Sequence, residues 1–306
     1  MNSFKFLSLT ICLLFFFLFI HTIQAQYVIH QIEYNIPISA NMFPENKKFE
    51  SNAEEAKYFL NLFEGKLKRD NNENKVSKST IYLDGDNFAV DNISPNGEKS
   101  STITNSKKGM FYLVMWPRKT VMEMSTKDIE QMQKTAEAAG EKTTKKLSPE
   151  LQKQMKEEEA NKKSSSEPEV KFTGKTKNIN GFECKQYLVE HGDNVMMIWA
   201  TDDNKDLSQH VESATKKIKS LFPSSGEEEK DEWEALPGKI PVVVKTFNSD
   251  MNESHIVVQE ITKISKEKPP AEKFIPPGKA QGFTTRSMKD MIMQMKGMMK
   301  KESNSK

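Results

Sequence analysis

Few residues of this chain have the type and spacing that chemistry requires. After residue 25 the histidines are His30, His191, His210 and His255, and no two of them have the spacing of a metal-binding or catalytic pair. The sequence contains no HExxH, GxSxG or CxxC motif and no glycine fingerprint of a dinucleotide site. These patterns predict a protein that is not an enzyme and that carries no cofactor.

Cys184 and the pair Asp202-Asp203 are the remaining candidates for catalysis. A nucleophilic cysteine needs a neighbouring base and an exposed, electropositive setting. Cys184 instead alternates with Phe182 just after a tight turn, as a small buried hydrophobe would. General acid-base or calcium chemistry would need more carboxylates than Asp202, Asp203 and the nearby Asp206. We expect the cysteine to be structural and the two aspartates to stabilise the start of a helix.

Methionines interleaved with lysines mark the end of the chain. Clustered thioethers suit Cu(I), which makes Met288, Met291 and Met295 weak candidates for metal ligands. The same side chains would suit an adaptable helix that binds a partner or a membrane surface, or a frayed terminal helix. Because cationic neighbours such as Lys289 and Lys296 oppose metal loading, we predict no metal site here.

The first 25 residues have the pattern of a signal peptide. Lys5 precedes an apolar run from Leu7 to Ile20, and a small-residue cleavage site ends at Ala25. Cys12 is not preceded by the small residue that lipid attachment requires. We therefore predict a periplasmic or secreted protein that is not a lipoprotein and that keeps no permanent membrane span after cleavage.

Charge and cysteine usage exclude further classes. The chain has 45 Lys and Arg against 43 Asp and Glu, and a nucleic-acid binder would show a clustered basic excess. Removing the leader leaves Cys184 as the one thiol, so no intramolecular disulfide is expected. The stability of the fold must then come from the burial of apolar surface.

The stretch from Glu169 to Asp202 gives the clearest structural signal. Two apolar-alternating runs meet at Asn180-Gly181, which predicts a type I′ hairpin turn. A third run from Val195 to Thr201 is apolar on both parities, which favours a central strand covered on both faces. We predict a three-stranded meander in the middle of an antiparallel sheet.

Helices and composition complete the layout. Ser51 with Glu54 forms a capping box for one helix. Asp206 is expected to cap a second helix that ends near Leu221, and we expect that helix to cover one face of the strand that carries Trp199. A Lys/Glu-rich stretch between the strands is too polar to bury a core and is predicted to be a helical or disordered insertion. The prolines after residue 268 are expected to end the sheet. The predicted organisation is a signal peptide (1–25), an N-terminal part of the sheet with one helix (26–124), the insertion (125–168), a C-terminal part of the sheet with one helix (169–280) and a Met/Lys-rich tail (281–306).

The sum of about ten short strands and a few helices predicts an α+β fold built on one curved, mostly antiparallel sheet. The segments Gly174 to Tyr187, Ile198 to Thr201, Ile81 to Asp86 and Phe274 to Gly278 resemble a bacterial family of exported proteins, domain of unknown function 4412. Such proteins are similar in layout to periplasmic lipoprotein carriers, in which helices cover an open half-barrel that holds acyl chains. The resemblance implies an open sheet with covering helices and an apolar ligand.

Aromatic and sulfur-containing side chains on the meander are the candidates for contact with such a ligand. They would line an apolar cavity or fill the core of a packed sheet, and the pattern alone does not separate these alternatives. We expect an exported binding or envelope-maintenance protein whose ligand is a hydrophobic small molecule or lipid. The alternative is a structural protein with a packed sheet and helical appendages that bind an envelope protein. The candidate ligand-binding residues are Phe172, Phe182, Tyr187, Met197 and Trp199.

Overall fold

A computed structural model of the protein describes residues 26–44, 48–64, 76–128, 168–192, 194–221, 235–249 and 254–287, together with Asp290. Two helices of the described residues matter here, α1 (Asn52–Leu62) and α2 (Lys205–Leu221). Short 3₁₀ turns occupy Ala40–Met42, Ala271–Phe274 and Lys279–Gln281. The strands are β1 (Gln26–Ile38), β2 (Ser77–Asp84), β3 (Asn87–Ile93), β4 (Lys99–Asn105), β5 (Met110–Met115), β6 (Thr120–Ser125), β7 (Glu169–Ile179), β8 (Phe182–His191), β9 (Asn194–Thr201), β10 (Ile240–Ser249), β11 (Ser254–Ser265) and β12 (Thr284–Ser287).

All twelve strands belong to one unclosed sheet in the order β12-β6-β5-β4-β3-β2-β1-β11-β10-β9-β8-β7. Every neighbouring pair is antiparallel except β12, which runs parallel to β6. The centre is the long-range pair β1 and β11, which joins the two parts of the sheet. The predicted α+β fold with a curved, mostly antiparallel open sheet is confirmed.

The contacts of the β7–β8 turn show that this end of the sheet is strongly curved. Asn180 and Gly181 have φ angles of 52° and 90°, as a type I′ turn requires. The Asn180 side-chain amide donates to Glu260 Oε1 and to the carbonyl of Ile261, each at 2.9 Å. Because these acceptors lie on β11, three strands from β8, the hairpin folds back across the intervening strands. The face that it crosses is concave.

The meander β7–β9 lies at one end of the sheet, so the prediction that it occupies the middle was wrong. β7 is an edge strand with a largely exposed surface. β9 is apolar on both parities because α1 covers one of its faces and Ala235 and Leu236 cover the other. Burial on both faces of β9 therefore reflects the layers that pack above and below this strand, and it does not indicate where the strand lies in the order of the sheet.

Helix α1 lies on the concave face. Ser51 accepts a hydrogen bond from the backbone N–H of Glu54, and the Glu54 carboxylate accepts one from the N–H of Glu50, which fixes the first turn. Ala56, Phe59, Leu60 and Phe63 recur at helical spacing and are buried against β9 and β10.

Helix α2 lies on the opposite, convex face, and the expectation that it covers Trp199 was wrong. Leu207 and Val211 pack with Tyr27, Ile29 and Ile240 near the start of β1. The cap is Asn204 rather than the predicted Asp206, since Asn204 Oδ1 accepts from the N–H of Leu207 at 3.0 Å. Asp206 instead accepts a hydrogen bond from the Tyr27 hydroxyl at 3.0 Å.

The proline-rich segment (residues 269–283) crosses the concave face over β2 to β6. Phe274 and Phe283 pack against Ala89, Ile103 and Val114. The chain then adds β12 beside β6, so the prolines do not end the sheet as predicted. A proline lacks the backbone donor only at its own position, so residues 284–287 remain free to pair.

The leader, most of the insertion (129–167) and the methionines Met288, Met291 and Met295 lie outside the described residues. Where the chain is described, none of its helices has the length and apolarity that crossing a bilayer demands.

Candidate functional site

The concave face beneath α1 is the most extensive apolar surface that this part of the sheet presents. Its side chains come from strands far apart in sequence, because β1 and β11 bring the N-terminal strand beside the last hairpin. We call this surface the floor. It comprises Ile32 and Tyr34 of β1, Ile256 and Val258 of β11, Val243 and Phe247 of β10, Val195, Met197 and Trp199 of β9, and Cys184 of β8.

Aromatic rings fill the space between α1 and the floor. Phe59 is fully buried, and its ring stacks on Phe247 with centroids 5.5 Å apart and an interplanar angle of 10°. Phe43 meets Phe59 edge to face at 4.8 Å. Edge-to-face and offset rings add about 0.5–1.5 kcal/mol per pair to the burial of their area. In this structure the aromatic side chains of α1 and its neighbours therefore cover the floor.

Lys245 is the exception in this apolar layer. It lies on β10 between Val243 and Phe247, on the same face, and its side chain is 0% exposed. Its Nζ donates to the carbonyl oxygens of Phe63 and Glu64 at 2.8 and 3.1 Å, at the C-terminal end of α1. Those carbonyls carry the partial negative charge of the helix end, which favours a cation there. Lys245 thus ties the end of α1 to the floor.

Burial lowers the pKa of Lys245 to about 8. The Glu64 carboxylate opposes this shift, the Lys177 ammonium adds to it, and Glu260 opposes it. Among the described residues, no carboxylate is in ion-pair contact with the Lys245 ammonium. The carboxylate of Glu64 is directed to Lys175 and Gln186 instead. Lys245 is consequently a buried cation whose direct partners are backbone dipoles.

A polar cluster surrounds the end of α1 and links it to the edge strand. Glu64 accepts hydrogen bonds from Lys175 Nζ at 2.5 Å and from Gln186 Nε2 at 3.0 Å. Gln186 is 1% exposed, and its side-chain oxygen Oε1 accepts a hydrogen bond from the Thr173 hydroxyl at 2.7 Å. Thr173 and Lys175 flank Gly174, whose φ of 83° accompanies the register shift between β7 and β8. Although burial raises the pKa of Glu64, these two hydrogen bonds and the Lys175 charge lower it overall.

The five residues predicted from the sequence to contact a ligand do not lie together. Met197 and Trp199 belong to the floor, and Phe182 packs against its border. Tyr187 alternates with Gln186 along β8 and therefore points to the convex face. Phe172 of β7 lies opposite Tyr187 of β8, with ring centroids 5.8 Å apart, and its side chain is 49% exposed. The structure therefore places three of the five at the concave face and two on the other side of the sheet.

Cys184 is buried, with 1% exposure, as predicted for a structural thiol. Burial raises its pKa to about 12, and the nearby Asp203 carboxylate adds to the shift. A polar depression of about 420 Å³ lies beside it, with Lys185 and Asp202 on its wall. Asp202 forms ion pairs with Lys185 and Lys239, whose hydrogen bonds and charges lower its pKa. A thiol held neutral in this way is a poor nucleophile.

Metal ligation finds no support in the part of the chain that the structure describes. No group of three or more His, Cys, Asp or Glu side chains there is placed to hold an ion. His30 contacts Thr80 at 3.3 Å through Nδ1, and His210 lies 3.6 Å from Asp206 on α2.

Lys245 was missed by the sequence analysis although a signal was present. The run Val242 to Phe247 reads Val-Val-Val-Lys-Thr-Phe, and strand periodicity places Lys245 on the same face as Val243 and Phe247. A lysine at an inward position of a strand is rare unless it has a partner. That pattern alone is enough to identify Lys245 as a candidate functional residue.

Comparison with known proteins bears on the family alone. Residues 141–279 match the model of a domain of unknown function, DUF4412. The predicted resemblance to DUF4412 is confirmed over this span. No curated protein matches the sequence.

Solved structures with similar layouts are distant. An uncharacterized conserved protein from Thermus thermophilus is 5% identical, with 86% of this chain and 92% of that chain covered and a TM-score of 0.38. A DUF1329 family protein from Desulfovibrio piger is 7% identical, with 83% and 91% covered and a TM-score of 0.26. PNGF-II is 14% identical, with 88% of this chain but 33% of that chain covered and a TM-score of 0.26. These scores are too low to support an argument about function.

Proposed function

We propose that this DUF4412-containing protein is an exported, non-enzymatic binding protein that holds a hydrophobic ligand between α1 and the floor. The observation that carries the proposal is the apolar floor of an open sheet, covered by a short helix that lies outside the sheet. The leader-like pattern of residues 1–25 supports a location in the periplasm or outside the cell.

The apolar burial that α1 would lose and that a ligand would gain is similar in size. The large inward side chains of α1 are Phe59, Leu60 and Phe63, and each contributes about 1.5–3 kcal/mol by burial, or roughly 5–9 kcal/mol together. An acyl chain that buries about ten methylenes gains about 8 kcal/mol at about 0.8 kcal/mol each. A ligand of that size therefore replaces the burial that α1 loses when it moves from the floor.

The second candidate function is that of a packed interaction protein. The tight contact of Phe59 with Phe43 and Phe247 favours it, because a floor filled by its own side chains needs no ligand. In that case the exposed edge strand β7 and its neighbours would contact a partner. The two candidates differ in whether α1 leaves the floor.

Hydrogen exchange in the presence of a neutral hydrophobic fluorophore separates them. We would titrate the purified protein with N-phenyl-1-naphthylamine, follow saturation by fluorescence, and measure amide exchange with and without the probe. Binding beneath α1 should change exchange in residues 52–63 and in β9 and β10. Helix α2 lies on the convex face and serves as the control that should not respond. Absence of saturable binding, or a response confined to the convex face, would refute the proposal and leave the packed interaction protein.

A further inference from the structure

Lys245 is difficult to explain as a packing residue. A buried helix end needs hydrogen-bond donors for its carbonyls, but a neutral donor would meet that need without the cost of desolvating a charge. Lys245 is fully buried among Val243, Phe247 and Met197, and it reaches the helix through a long apolar stem. Among the described residues, Lys245 is thus the buried cation of this face, which also carries the buried amide of Gln186 beside Met197.

The hydrogen-bond acceptors of Lys245 both belong to the end of α1. An ammonium has three N–H donors, and two of them go to the carbonyls of Phe63 and Glu64 at 2.8 and 3.1 Å. Both acceptors belong to the end of α1, so displacement of α1 removes both at once. A charged group left in an apolar groove without acceptors is costly. Lys245 would then require two oxygen acceptors from whatever replaces the helix.

We propose that the ligand of the concave face is an amphipath with a carboxylate headgroup, and that Lys245 binds this headgroup when α1 is displaced. A carboxylate supplies two oxygens with full rather than partial negative charge, in place of the two helix carbonyls. Its acyl chain lies along the floor past Met197 and Trp199. The inference rests on the function proposed above and specifies the ligand class of the same site.

The charges around Lys245 leave room for an anion. From the α1 side, Glu64 has its carboxylate held by Lys175 and Gln186. From β7, Lys177 adds positive charge, and from β11 the Glu260 carboxylate accepts from Asn180. The two acidic neighbours thus have partners other than Lys245, and Lys177 adds to the positive potential that an anion would meet.

Two fluorescent probes with the same chain test the inference. We would compare 11-(dansylamino)undecanoic acid with its methyl ester, which keeps the same chain and fluorophore but has a neutral headgroup. At about pH 7 the acid should bind about tenfold more tightly than the ester or better, because a hydrogen bond to a charged group contributes more than a neutral one. Lys245→Met should abolish that preference, so that the acid and the ester bind this variant with affinities within about threefold of each other, because the charge that distinguishes the two headgroups is gone.

Lys239→Met is the matched control, because Lys239 lies near the start of β10 but pairs with Asp202 and approaches the ring of Tyr187. This variant should keep the preference for the acid. If Lys245→Met does not fold, the pH dependence of the unaltered protein decides. The preference should fall at least about threefold between pH 7 and 9.5 as Lys245 loses its proton while the carboxylate stays ionised.

The outcomes separate the two proposals. If neither probe binds, the proposed function fails. If acid and ester bind equally in the unaltered protein, the binding function stands and the carboxylate anchor is wrong. A preference for the acid that Lys239→Met removes and Lys245→Met retains would also overturn the inference.

Discussion

The buried ammonium of Lys245 makes stability depend on pH in an unusual direction. Its pKa falls from 10.5 to about 8 in the folded protein because burial disfavours the charged form. Below about pH 8 the group is protonated in both the folded and the unfolded chain, so the cost of burying the charge is present in full. Between about pH 8 and 10.5 the unfolded chain keeps a proton that the folded chain has released. The free energy of unfolding therefore rises with pH in this window.

The size of the effect follows from the shift. At about 1.36 kcal/mol per pH unit, the whole window corresponds to about 3 kcal/mol. A scan from about pH 7 to 9.5 covers about 2 kcal/mol of it. Cys184 acts in the opposite direction, because burial raises its pKa to about 12 and the unfolded thiol ionises first. Tyr27 and Tyr112 also have raised pKa values, chiefly through burial, and oppose the gain above about pH 10.

A difference measurement isolates the lysine. We would measure urea unfolding by tryptophan fluorescence at several pH values for the unaltered protein and for Lys245→Met. The free energy of unfolding of the former should gain about 2 kcal/mol relative to the latter between about pH 7 and 9.5. Lys239→Met should not change the slope, because the pKa of Lys239 is raised and its proton is lost at higher pH. Parallel curves for the unaltered protein and Lys245→Met would refute the account of Lys245 as a buried cation.

Three further predictions concern the turn, the thiol and the helix. Gly181→Val should reduce the free energy of unfolding by about 1–3 kcal/mol, because a β-branched residue is forced to φ of 90°. Gly278→Ala, with open space around the added methyl group, is the control, and equal melting temperatures for the two variants would contradict the explanation. Cys184→Ala should cost about 1 kcal/mol, and the native thiol should react with a thiol reagent only at the rate of unfolding. Fast labelling of native protein would show that Cys184 is accessible. Phe59→Ala should cost about 3–5 kcal/mol, against less than about 1 kcal/mol for Leu62→Ala, which is 40% exposed on the same helix. Similar losses of stability in Phe59→Ala and Leu62→Ala would contradict the packing of α1 on the sheet through Phe59.

Local signals in the sequence were accurate because they depend on neighbouring residues alone. The Asn180-Gly181 turn requires positive φ at two consecutive positions, and few other pairs allow it at low cost. The Ser51 cap of α1 is likewise a contact between residues three positions apart.

The order of the strands depends on long-range pairing, which the sequence patterns did not predict. β1 pairs with β11 across more than two hundred positions, with Tyr34 opposite Val258. This pairing puts the meander at one end of the sheet and sets the residues that make up the floor. Periodicity assigned Trp199 to a buried face but carried no information on which helix covers it, so α2 was expected where α1 lies. Strand periodicity could have identified Lys245 as an inward lysine but not its partner, because the contact with the end of α1 joins residues 182 positions apart.

Native mass spectrometry of protein purified from its own envelope, combined with extraction of bound lipid, tests the central claim most directly. The account predicts a bound species at about one per chain, with an acyl chain and a carboxylate, that is lost when Lys245→Met protein is purified in the same way. A ligand-free mass for the unaltered protein, with no stoichiometric amphipath in the extract, would contradict it.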